Sequence, residues 1–110
     1  MPTRFMPVTA YSITHHSGLT SSVRAEVSLF DNTSGVALVA TLRFFDRGAD
    51  PAAAGSAEGP SGDYPLEALA AMIDTLRNEK PIMACLDVDS DVILYVGTQQ
   101  LEPAGEGQER

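Results

Sequence analysis

The chain has no tryptophan, one cysteine and two histidines, and 7 basic residues stand against 15 acidic ones. Each shortage excludes something. A lone cysteine, Cys85, rules out an internal disulfide and any zinc site built on paired thiolates. It lies in the apolar stretch 82–86, where a buried, inert thiol is the default. No stretch approaches the roughly 18 apolar residues of a membrane-spanning helix. Residues 1–7 lack the apolar core of a secretory signal, so the expected location is cytoplasmic, without membrane attachment. No glycine-rich phosphate loop and no nucleophile motif occurs.

The net charge of −8 is unevenly placed. Residues 1–49 carry four arginines against three carboxylates, and residues 50–110 carry three basic side chains against twelve carboxylates. The second half therefore repels phosphate backbones, which argues against nucleic acid as a partner. At 110 residues and 44% hydrophobic, the chain is long enough for one core without covalent staples.

One helix is clearly marked. Pro65 suits a first helical position, with Asp63 as the better N-cap and Glu67 near the positive end of the dipole. Lys80 favours the other end, and Pro81 stops the helix. Leu66, Leu69, Ala70, Ile73 and Leu76 form its apolar face, with Met72 at the edge and Arg77 breaking the pattern in the last turn. Arg77 either lays its stem over the core or contacts an anion or a partner.

Three strand-like segments precede this helix. Residues 8–16 and 22–30 alternate with period two, and 36–45 is apolar on both faces near its start. Residues 31–35 end in Gly35 and mark a hairpin, as do 17–21 between the first two segments. Residues 47–62 lack an apolar face and read as a flexible loop. After the helix, 82–86 and 92–98 form a second hairpin, and the run 92–96 is apolar at every position. The expectation is an α+β fold: a mostly antiparallel sheet of about five strands in the order β-β-β-α-β-β, one helix on one face. Residues 1–101 make a single domain, followed by a disordered acidic tail at 102–110.

Candidate chemistry is sparse. Asp87, Asp89 and Asp91 open like a calcium loop, but Val92 and Thr98 stand where glycine and glutamate are needed. Turn chemistry explains them, and no metal or cofactor is expected. His15 and His16 are adjacent in a strand and point to opposite faces, so they cannot share an ion. One of them acting as an acid–base group in a small enzyme is a third-ranked possibility. Arg24 and Phe30 share one strand face, and Arg43 and Phe45 share the next, an arrangement that suits base stacking and phosphate contact. In element order alone, β-β-β-α resembles the whirly type of single-strand-binding sheet protein. That resemblance implies a nucleic-acid surface, with Glu26 and the net charge opposing it.

One helix cannot cover both faces of such a sheet, and 36–39 and 92–96 need cover on each. The sequence therefore favours a small non-enzymatic binding or protein-interaction domain acting as a homodimer. The ligand or partner contacts it offers are Arg24, Phe30, Arg43, Phe45, His15 and Arg77.

Overall fold

The computed structural model describes residues 2–17, 22–51, 55 and 59–98. Its elements in chain order are β1 (Thr3–Val8), β2 (Ala10–His15), β3 (Val23–Asp31), β4 (Ala37–Phe45), β5 (Ser61–Pro65), a 3₁₀ turn (Leu66–Ala68), α1 (Leu69–Asn78), β6 (Ile82–Asp87) and β7 (Val92–Thr98). The fold is α+β, with one short helix on a sheet of seven strands rather than about five. No helix among the described residues is long and apolar enough to cross a membrane.

The strand order is β1-β6-β7-β5-β4-β3-β2. β4, β5 and β7 run parallel to one another, and the other pairings are antiparallel. β1 and β2 therefore stand at opposite ends of the order although Thr9 alone separates them in the chain. A sheet can satisfy both conditions only by curling until its ends meet. Thr9 marks that corner. Its N–H donates to the Phe30 carbonyl at 2.8 Å, and its Oγ1 accepts from the Asn32 N–H at 2.8 Å.

The alternation read in β3 is real: Val23, Ala25, Val27 and Leu29 are buried, and the residues between them are half-buried. The interior of the curl gathers Ala25, Val27, Leu29, Ala40, Leu42, Phe44, Ile82, Ala84, Leu86 and Ile93 into one cluster. The sequence places its turns well. In the β3–β4 hairpin Asp31 accepts from the Thr33 N–H and hydroxyl at 3.1 and 2.6 Å, and Gly35 takes a φ of 108° that suits glycine. Those bonds hold the Asp31 carboxyl below its ordinary value. In the β6–β7 hairpin Asp87 accepts from the Asp89 N–H at 3.2 Å and the Ser90 hydroxyl at 2.9 Å, so it acts as a turn residue.

Three expectations need correction. Residues 3–8 form a strand of their own, and Pro7 is tolerated there because β1 is an edge strand that can spare an N–H. Residues 61–65 are a strand and not a helix start. Asp63 pairs with Arg43 instead of capping, α1 begins at Leu69, and no side chain caps it. Five strands thus precede the helix, in the order β-β-β-β-β-α-β-β.

β5 pairs with β7 in the ladder only at Ser61 and Val92, and Gly62 beside that bridge is buried. A Cβ on Gly62 would lie 3.3 Å from the Ile93 Cβ and 3.4 Å from the Tyr64 ring. Gly62→Val is expected to cost about 1–3 kcal/mol by overpacking. A thermal melt unchanged from that of the parent would show that β5 and β7 separate freely here.

The helix is less deeply seated than its pattern implies. Leu69, Met72 and Leu76 pack on the core, yet no residue of α1 is fully buried. Leu69→Ala is therefore expected to cost about 1–2 kcal/mol, below the range for fully buried leucines. Asp74→Ala, at an exposed site, should stay within about 0.5 kcal/mol in urea unfolding. Equal losses at both positions would mean that α1 is rotated about its axis.

Candidate functional site

The convex side of the sheet divides into two regions. Over β3, β4 and β5 it meets the described parts of the connection that follows β4, residues 46–51, 55 and 59–60. Arg43, 7% exposed, donates through Nε and Nη2 to the two Asp63 carboxylate oxygens at 2.9 and 3.2 Å. Its Nη1 donates to the Gly55 carbonyl at 2.9 Å, which ties the connection down. The guanidinium lies 5.2 Å from the Phe45 ring centroid, and Phe45 is itself buried. Beside it Arg24 donates from Nη1 to both Asp46 oxygens, at 3.1 and 3.0 Å. The Thr41 N–H bonds the Pro60 carbonyl at 3.1 Å. Residues 52–54 and 56–58, part of the expected loop, and the tail 102–110 lie outside the described residues.

Of the four residues that suited base stacking, Arg24, Arg43 and Phe45 gather at one end of β3 and β4, Phe30 stands at the other end opposite Leu38, and the surface they would form is not open. Stacking needs an uncovered ring face and phosphate contact needs a reachable cation. Phe45 and Arg43 are buried against each other, Arg24 is ion-paired, and Phe30 is half-buried. The element order that resembled the whirly type does not hold either, since five strands come before α1. His15 is exposed on β2, whereas His16 lies half-buried with Nε2 3.5 Å from Glu26. Arg77 is exposed at the end of α1.

The second region, over β1, β6 and β7, carries no covering element among the described residues. Strand register sets Phe5, Cys85 and Tyr95 directly opposite one another across the three strands. The Phe5 and Tyr95 rings stand 6.4 Å apart, tilted by 55°, above a buried Cys85. Adjacent rows follow the same pleat: Pro7 with Met83 and Gly97 on one side, Thr3 with Asp87 and Val92 on the other.

A β-bulge enlarges this face. Leu86 pairs with Ile93 but Cys85 pairs with Tyr95, which leaves Leu94 as the extra residue. A bulge sets two consecutive side chains against one partner, so Leu94 and Tyr95 are both turned outward. Ile93 and Val96 remain inside. The unbroken apolar run 92–96 therefore serves two surfaces. Phe5, Leu94 and Tyr95 are 46%, 43% and 50% exposed, and Val92 is exposed with them. Hydrogen bonding with Cys85, followed by desolvation, pushes the Tyr95 phenol above its ordinary value.

Asp87, at one end, carries the only formal charge among the side chains that register assigns to these rows. Among the described residues no group of three or more metal-ligating side chains gathers anywhere. Sequence reasoning flagged 92–96 but missed Phe5, since the prolines at 2 and 7 hid the alternation of Thr3, Phe5 and Pro7. Comparison of the chain with protein-family models, curated proteins and solved structures finds no match.

Proposed function

We propose that this chain is a small non-enzymatic protein-interaction domain that acts as a homodimer, its subunits meeting through the outer face of β1, β6 and β7. The observation that carries the reading is the exposed pair Phe5 and Tyr95 over the buried Cys85, extended by Leu94 and Val92. Contiguous apolar surface of this kind marks an interaction site. A second copy is the occupant that a self-complementary apolar face favours. The net charge of −8 opposes self-association, and a face almost free of charge is where that repulsion is smallest.

The geometry suits two-fold packing. An axis along β6 keeps Cys85 central and sets Phe5 of each subunit against the opposite Tyr95, which gives one self-complementary patch. Aromatic contacts of this kind are favoured at interface centres. A cytoplasmic setting agrees with a free, buried Cys85 thiol. Leu94→Glu is expected to shift the chain from dimer to monomer in size-exclusion chromatography, because it buries a carboxylate against the apolar face of the other subunit. Val36→Glu, at an exposed position in the β3–β4 connection, should leave the dimer intact. Dimerisation unaffected by Leu94→Glu would remove this face from the interface.

A further inference from the structure

The curl leaves one opening that neither the ion-paired region nor the dimer face uses. A cleft of about 750 Å³ lies between the β1–β2 corner and the C-terminal end of α1. Val8, Tyr11, Leu76 and Ile82 form its walls, and Glu79 and Lys80 stand with them in its lining. It arises because α1 ends at Asn78 and Pro81 turns the chain into β6, while Tyr11, opposite Leu29 on β3, lies against the core without being fully covered. The volume falls within the range of small-molecule sites, and the wall is apolar with a few polar groups, as such sites are.

We propose that this cleft binds an apolar molecule bearing one protonated amine. Apolar walls select the body of the ligand, and three features select the sign of its charge. The first is Glu79, half-buried at the helix end, where its N–H is engaged by the Thr75 carbonyl at 3.0 Å. The second is the end of α1 itself. Its last carbonyls lack intrahelical partners, and the dipole places partial negative charge there. The third is the Tyr11 ring, whose face attracts a cation. Lys80 in the lining and Arg77 in the last turn of α1 oppose them, but both are exposed on long flexible stems that can turn to water, whereas Glu79 is half-buried. The overall charge of −8 adds to the attraction at long range.

The test is calorimetric titration with decylamine, decanol and decanoate, three probes that share a chain length and differ in charge. Decylamine is expected to bind once per chain, about tenfold more tightly than decanol and more tightly still than decanoate. Glu79→Gln should remove most of the preference for the amine and leave decanol affinity unchanged. Leu76→Trp, which fills the cleft from the helix side, should abolish binding of all three. Glu79 is a partly exposed surface residue, so its variant keeps the proposal testable even if Leu76→Trp fails to fold. Tighter binding of decanoate than of decylamine would overturn the assigned charge. No binding of any probe, or binding that survives in folded Leu76→Trp, would overturn the site. Leu94→Glu should leave decylamine binding unchanged, which separates this site from the dimer face.

Discussion

Replacing Phe44 with alanine is expected to cost about 3–5 kcal/mol, the largest loss of any single truncation in this chain. Phe44 is fully buried and belongs to the core cluster inside the curl. Its partner across the parallel β4–β5 ladder is Tyr64, and the two rings stack 5.4 Å apart at 19°. Stacked aromatic pairs contribute beyond their buried area, so truncation loses the transfer energy, the ring contact and the support of β5 together. Burial already pushes the Tyr64 phenol above its ordinary value, a sign of how dry this corner is. Urea unfolding would measure the loss. A change under about 1.5 kcal/mol would mean that the interior at Phe44 is loosely filled.

The second large effect is expected at Asp63. Asp63→Ala removes the carboxylate from a guanidinium that is 7% exposed and has only the Gly55 carbonyl and the Phe45 ring left to face. Breaking a fully buried ion pair costs about 3–5 kcal/mol, because one charge remains without compensation. The Asp63 side chain is about a third exposed, so solvent screens the orphaned charge and the expected loss is about 2–3 kcal/mol. Replacing both partners together, with Arg43→Met and Asp63→Ala, should cost less than Asp63→Ala alone. That inversion distinguishes a charge left unpaired from a simple loss of contacts. If the double variant were the weaker of the two, packing of the Arg43 stem would be the main contribution.

The parts of the fold that were legible in the sequence are those whose stability is local. β3 shows its alternation because one of its faces packs inward along its whole length. The Asp31 and Asp87 turns declare themselves through their own side chains. β5 does not, since Ser61–Pro65 has the composition of a helix cap and becomes a strand only by pairing with β4, some twenty residues earlier. The same distance hides the Arg43–Asp63 pair, which takes the Asp63 side chain away from a capping role.

Bulges account for the rest. Leu94 and Val39 are the extra residues in their strands, and each reverses the face assignment that strict alternation gives. The candidate face was therefore half visible. The run 92–96 announced that two surfaces needed cover, whereas Phe5 joins it through a pairing with Cys85 that spans eighty positions.

The central claim is that the uncovered face of β1, β6 and β7 meets its own copy. Sedimentation equilibrium of the unaltered chain at micromolar concentration tests it most directly. The account predicts twice the 11.7 kDa chain mass, falling to the single mass in Leu94→Glu. A clean 11.7 kDa species for the unaltered chain would contradict it.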